Sequence, residues 1–522
     1  MSAGWLRGSA VVTLGLLLSA CGPDEPVAPG GAAGEASSAA PRTPPAADEL
    51  PNIIVYMVDT LRADGLGIYG NERDTSPAID ALARESAVFE MAVSQAPWTL
   101  PSVTSLFTST YPVSHEVLSN FDLAGEQAET MVEFMHGLGY HTVGFITNTL
   151  GGKGAGLVQG YDEFFEHPPM RDLTPEQAAA GGKALVPILD WAAAYDGSQS
   201  VFVYIHKAEP HNPWEAAPKG KTPWITSTKE ERDRLNAILP EQRGLIGQRS
   251  LGLLDEEQAA RLEELTREIE GHLQEARDLY DGDVRLANEN FQKFLAILGK
   301  RPRWEKTVLV LLADHGDELY EHGNWYHSQS LYQELVHVPL VLRVPGLTDH
   351  GLRIRQPVEL IDVLPTLAEL VGAPASPHWQ GRSLVPLLRA ARDGAPEPPA
   401  PPVFSMRVSV ETRAAAERAG RPSGGERGDT ETAVIEDGWK LIAHHDIGRA
   451  SLYDLSTDPG EQHDLHDAEP ERARHLLDLV QRRLHELPRL DLRRADAGDQ
   501  AAQDEKLKHL EELGYIGGES PR

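Results

Sequence analysis

Two unbroken apolar runs dominate the chain, IIVYMV at residues 53–58 and TVLVLLA at residues 307–313. Neither alternates with polar positions. Runs of this kind mark strands covered on both faces, as in a parallel sheet. Each ends in acid, the first at Asp59 and the second at Asp314-His315-Gly316-Asp317-Glu318. Further apolar runs predict strands over 142–147, 200–205 and 338–344. Between them, apolar positions three and four apart predict amphipathic helices over 80–89, 126–139 and 184–195. The charged stretch 228–298 predicts mostly helix, and the Glu/Arg pairs within 256–279 mark a solvated one. In APWTLPSVTSLFTS, residues 96–109, Thr99 suits an N-cap with Pro101 in the first turn. Residues 393–430 turn to Pro, Ala, Gly and Arg, with one short strand expected at 403–410. Residues 432–443 and 450–455 alternate like hairpin strands, and 469–487 and 504–513 read as helices.

The strand ends carry the candidate chemistry. Ligands of open α/β sheets bind just outside the carboxyl ends of the strands. Asp314 and His315 offer one hard oxygen and one imidazole there, and Asp59 ends a second buried strand. Thr99 adds a hydroxyl at a helix N-terminus, where anionic groups are favoured. Together Asp59, Thr99, Asp314 and His315 form a complete shell for one divalent ion, with a nucleophile among the ligands. Three oxygens and one nitrogen suit Mn or Zn, and Ca or Mg also satisfy such a shell. His322 and His327 follow in HGNWYH. The strand 200–205 ends at His206-Lys207-Ala208-Glu209-Pro210-His211, which brings polar groups to the same edge. There His206 reads as a structural histidine. The glycine-rich loop 151–160 is not a P-loop, because no GK[ST] follows.

From about residue 51 to 518 the chain resembles the sulfatase family of the alkaline phosphatase superfamily. The resemblance rests on VDTLRADGLGIYG, APWTLPSVTSLFTS, ITNTLGGKGAGLVQGYDEFF, VYIHKAEPHNPW, LLADHGDELYEHG and HSQSLYQELVHVPLVLRVPG. LIDVLPTLAELVG, QGRSLVPLL and LYDLSTDPGEQHDL continue it in family order. It implies an α/β fold: a large, mainly parallel sheet flanked by helices, then a small C-terminal antiparallel sheet with a packed helix. It implies a hydrolase of sulfuric or phosphoric esters, with His211 facing the bound ester. His211, His322 and His327 would hold the oxyanion or protonate the leaving group.

The chain also departs from the family pattern. Sulfatases carry Cys or Ser, oxidised to formylglycine, within C/S-x-P-x-R. Here that segment reads Thr99-Leu100-Pro101-Ser102-Val103. Threonine cannot give that aldehyde, so no formylglycine is expected and Thr99 itself becomes the nucleophile. Thr60 follows Asp59 where the family has a second metal aspartate, and His327 stands where it has a lysine. A phospho-head-group transferase of the cell envelope, or a non-catalytic binding protein on the same fold, are the alternatives.

Residues 1–21 read as a signal peptide: Arg7 precedes a short apolar run, and Leu18-Ser19-Ala20-Cys21 resembles a bacterial lipoprotein box. Cys21, the only cysteine, would be the lipidated residue. Residues 22–50 are too poor in apolar surface to fold and read as a disordered tether. The expected organisation is a catalytic domain at 51–390, a loose Pro/Gly/Arg-rich insertion at 391–430 and a C-terminal subdomain at 431–522. The expected location is exported and membrane-anchored, facing the periplasm or the cell exterior. A formal charge of −31 argues against nucleic acid as a partner. The partner expected is instead an anionic ester, small or carried on a glycan or lipid.

Overall fold

The computed structural model describes residues 50–118, 122–166, 185–214, 220–250, 254–408, 431–445, 447–490 and 492–493. The expected signal peptide with Cys21, nearly all of the tether and the helix at 504–513 lie outside the described residues.

The apolar runs at 53–58 and 307–313 lie side by side at the middle of an eight-stranded sheet. Its order is Leu352–Ile354, Ala87–Phe89, Leu340–Arg343, Val308–Leu312, Ile53–Val58, Val201–Lys207, His141–Ile146 and Glu163–Glu166. Every strand runs the same way except Leu340–Arg343, which is antiparallel to both neighbours. Both faces of the central strands are covered, which is why they needed no polar alternation. On one face Tyr56 meets Phe291 of the helix Leu273–Leu298, ring centroids 4.9 Å apart and edge to face. Phe107 of the helix Thr99–Thr108 meets Tyr204 in the same way, at 4.7 Å. Each such fully buried side chain contributes about 1.5–3 kcal/mol of transfer free energy.

The C-terminal sheet is antiparallel, ordered Val403–Arg407, Glu431–Glu436, Trp439–His444 and Arg449–Asp454. The helix Pro470–Glu486 packs Ala473, Leu476 and Val480 on its face, against Val434, Leu441 and Leu452. Residues 432–443, which read as a single alternating stretch, are two strands joined at Asp437-Gly438. Both turn residues have positive φ, 51° and 80°, and Asp-Gly is the pair such two-residue hairpin turns select. The strand Val403–Arg407 falls inside the expected loose insertion yet pairs as the edge of this sheet.

Several expected elements differ in extent. The helix at 80–89 is instead Pro77–Ala83 followed by the strand Ala87–Phe89. Ser86 Oγ donates back to the Leu82 carbonyl at 2.8 Å, closing the helix, and the apolar triplet then finds partners on two strands. The helix at 126–139 starts only at Met131, behind a capping box of Thr130 and Glu133. The strand at 338–344 is split by Pro339, which has no N–H for the ladder. His337–Val338 pairs with Ala92–Val93, and Leu340–Arg343 joins the large sheet. The stretch 228–298 forms three helices, Lys229–Ser250, Glu256–Glu270 and Leu273–Leu298. The second is less solvated than its charges suggest, because Leu262, Leu265 and Ile269 form a buried stripe. Among the described residues no helix is long and apolar enough to cross a membrane.

Candidate active site

Register brings the candidate residues together. Met57 lies beside Leu312 on one side and His206 on the other, and His206 beside Ile146. The residues just past these strand ends, Asp59, Asp314 and Asn148, therefore leave the sheet at one edge. Asp59 is tied there by its N–H, which donates to the Lys207 carbonyl at 2.8 Å.

Asp59, Asp314 and His315 are fully buried, and one ligand atom from each lies within 4.8 Å of the others. His315 Nε2 is 3.6 Å from Asp59 Oδ1 and 3.4 Å from Asp314 Oδ2. Its Nδ1 donates to the Gly316 carbonyl at 2.8 Å, so Nε2 is the lone-pair nitrogen. Thr99 Oγ1 lies 3.3 Å from that Nε2. Thr99 is not a helix cap: Trp98 takes the N-cap position, Thr99 is the first helical residue, and no side-chain cap bond forms. Its hydroxyl is turned to the site instead.

These residues fit a divalent ion. Asp59 Oδ1 and Asp314 Oδ2 are buried without a hydrogen-bond partner, which is costly unless something satisfies them. Their electrostatics agree. Burial alone would raise Asp59, but the His206 hydrogen bond and the neighbouring imidazoles hold it below the ordinary carboxylate range. Asp314 moves the other way, pushed up by burial and by the facing Asp59. Two facing buried carboxylates shift apart in this way, and a cation between them would relieve their repulsion.

Other residues, missed in the sequence, orient this group. Asn148 Nδ2 donates to Asp59 Oδ2 at 2.7 Å, and His206 Nε2 lies 3.3 Å from the same oxygen. His206, read as structural, thus fixes which carboxylate oxygen faces the site. The glycine-rich loop has a part in this. A Cβ on Gly151 would sit 2.1 Å from His206 Nδ1, so only glycine lets the imidazole reach Asp59. Thr60, at the position where the family's second aspartate is absent, has φ 55°, rare for a β-branched residue. Its N–H donates to Asp314 Oδ1 at 3.3 Å and its carbonyl accepts from Tyr280 Oη at 2.9 Å.

His211 and His327 join the site. The His327 ring centroid is 4.6 Å from that of His315 and 5.1 Å from that of His211. His327 Nδ1 lies 2.8 Å from Asp317 Oδ1, and His211 Nδ1 donates to the Asn212 carbonyl at 2.8 Å. Arg243, from the helix Lys229–Ser250, reaches the His327 carbonyl at 3.1 Å. That charged helix therefore touches the site's rim.

His322 does not join it. Its Nδ1 faces Glu334 Oε1 at 2.5 Å, its Nε2 faces the Glu461 carbonyl at 3.2 Å, and its ring stacks on Tyr332 at 3.5 Å. Burial works against its charge, but Glu334 and the Glu461 carbonyl outweigh it and raise the imidazole. Both of its ring nitrogens are thus engaged, Nε2 also lying 3.2 Å from Gln462 Nε2. Glu318, His322 and Glu334 form a second acidic group, in which both nitrogens of this histidine already face protein atoms.

Glu318 gives a pH prediction. Burial and Glu334 push its carboxyl up to about 8. The folded chain then keeps a proton that the unfolded chain releases near pH 4.3. This contribution to stability is full below that pH and is lost as pH rises through about 8, a change on the order of a few kcal/mol. Glu318→Gln cannot ionise and retains an acceptor for Ser330. Its stability in urea should gain on wild type between pH 5 and 8.5. An equal difference at both pH values would show that Glu318 does not titrate as stated.

The sulfatase family model matches residues 51–373. Arylsulfatase K of Gallus gallus is 24% identical over 461 residues, covering 82% of this chain and 81% of that protein. The Delta 4,5-hexuronate-2-O-sulfatase of Bacteroides thetaiotaomicron is 24% identical over 448 residues, covering 80% and 85%. Among solved structures, the phosphonate monoester hydrolase of Agrobacterium radiobacter superposes with a TM-score of 0.63 at 18% identity, covering 83% of this chain and 95% of that one.

Proposed function

We propose that this chain, which belongs to the sulfatase family, is a metal-dependent hydrolase of sulfuric or phosphoric esters that works through Thr99 without an aldehyde cofactor. The observation that carries this reading is the Thr99 hydroxyl, 3.3 Å from His315 Nε2 and beside two buried, unpartnered carboxylate oxygens. A divalent ion held by Asp59, Asp314, His315 and Thr99 would supply the positive charge that lowers the hydroxyl pKa and neutralises the ester's non-bridging oxygens.

The chain's own residues do the rest. The contact with His315 aims Thr99 Oγ1 into the site, so the oxygen is placed to attack the central phosphorus or sulfur. The helix N-terminus behind it favours the anion. His211 and His327, grouped with His315, meet the ester's remaining oxygens. The P–O or S–O bond to the alcohol breaks as the bond to Thr99 forms, the hydroxyl proton passing through solvent to the departing alcohol; water then cleaves the threonine ester, releasing phosphate or sulfate and restoring the hydroxyl. The sulfatase relatives favour a sulfate ester. Threonine in place of the formylglycine precursor favours a phosphate mono- or diester.

The test is turnover of paired nitrophenyl sulfate and phosphate esters by the chelated protein, before and after Mn(II), Zn(II) or Ca(II) is returned. At least one ester should be hydrolysed only with metal. Hydrolysis unaffected by thorough chelation would contradict the reading.

A further inference from the structure

The turn that leaves Asp59 is bent against its own sequence. Thr60 sits in the left-handed region, at φ 55°. A β-branched side chain is strained there, and left to itself the residue would return to negative φ. That return would move the backbone joining Asp59 to Leu61. It would also take the Thr60 N–H from Asp314 Oδ1, 3.3 Å away. A bend of this kind persists only where the surrounding structure holds it.

Tyr280 is placed to hold it. It stands on the helix Leu273–Leu298, 220 residues along the chain from Thr60. Its Oη donates to the Thr60 carbonyl at 2.9 Å and accepts from the Arg62 N–H at 2.8 Å. One phenol thus ties both ends of the turn. Thr60 and Arg62 are buried, where an unpaired backbone group is costly. Tyr280 is itself fully buried, its ring edge-on to Trp214 with centroids 6.1 Å apart. Burial holds the phenol's proton well past the ordinary tyrosine range, so the O–H stays a donor. From the far end of the turn, Arg62 Nη1 donates to the Asp317 carbonyl at 3.0 Å. The held turn therefore reaches the loop at 314–317 twice, through Thr60 and through Arg62.

We propose that Tyr280 is a positioning residue of the ester site, which keeps Thr60 left-handed and so holds Asp59 and Asp314 ready for the ion. This rests on the one-ion reading above and extends it to a residue that acts through the backbone. A tyrosine that only fills space is replaced by phenylalanine with no dependence on residue 60. A tyrosine that holds a strained turn is coupled to residue 60, because glycine takes positive φ without being held.

Titration of the chelated full chain with Mn(II), read by loss of the free-ion electron paramagnetic resonance signal, tests this in a double-mutant cycle of Tyr280→Phe and Thr60→Gly. Thr60→Gly alone should bind as wild type does. Tyr280→Phe should weaken the ion about 10–100-fold, the usual cost of losing such a support. With glycine at residue 60 the same change should cost about tenfold less, within the range of coupling between residues in contact. Should Tyr280→Phe alone fail to fold, the double variant should fold and bind, and an unfolded double variant would overturn the proposal. Equal losses in the two backgrounds, or a Tyr280→Phe protein that binds as tightly as wild type, would overturn it and leave the one-ion reading standing. A wild type that binds no Mn(II) would overturn both.

Discussion

Thr99→Ala should lower turnover by several orders of magnitude while leaving the protein folded. Removing a nucleophile that acts within a concerted group has an effect of that size. The structural cost is small by comparison. Thr99 makes no cap bond, and losing a hydroxyl contact such as that with His315 costs about 1 kcal/mol. Thr99→Ser retains a hydroxyl on the same backbone and should retain appreciable activity. The comparison of the two variants against their urea midpoints separates chemistry from folding. An alanine variant as active as wild type would reduce Thr99 to a packing residue.

The Asp314→Ala/His315→Ala double variant should lose both the ion at this site and turnover. It removes two of the four proposed ligands, including the only nitrogen. Asp314 is raised by burial and by Asp59, so in the metal-free protein it is a source of repulsion. The stability gap between wild type and variant should therefore widen when metal saturates the wild type, since a ligand at about a hundred times its dissociation constant stabilises by roughly 2.7 kcal/mol. Metal analysis and thermal unfolding, each with and without chelator, give both readouts. Equal metal content in the two proteins would place the ion elsewhere.

What the sequence revealed of the fold and of this site, and what it hid, has physical causes. Asp59 and Asp314 were legible because each ends an apolar run buried on both faces, and parallel strands carry such ends to one edge. Thr99 was read as a cap because threonine before an apolar helix usually is one. Whether residue 98 or 99 is the last non-helical residue depends on the backbone angles of Trp98. Asn148 and Asp317 were missed, and His206 was read only as structural, because they act on other side chains. His206 is 147 residues from Asp59, and no local pattern links them. His322 was grouped with His327 by nearness in sequence. The hairpin Glu318–Leu319 with Trp325–Tyr326 separates them. It returns His327 to Asp317 at its base and carries His322 along the turn to Glu334 and Glu461. The Asp-Gly turn at 437–438 was in plain view, and only its alternating flanks disguised two strands as one.

The most direct test of the mechanism is to trap the covalent species. Metal-loaded protein is mixed with its best nitrophenyl ester, quenched in acid within the first turnover, digested and mapped by mass spectrometry. One phosphoryl or sulfuryl group on Thr99, appearing with the burst of nitrophenol and absent from Thr99→Ala, is the predicted result. A burst with the group on another side chain, or product released in the first turnover with Thr99 never modified, would contradict the account.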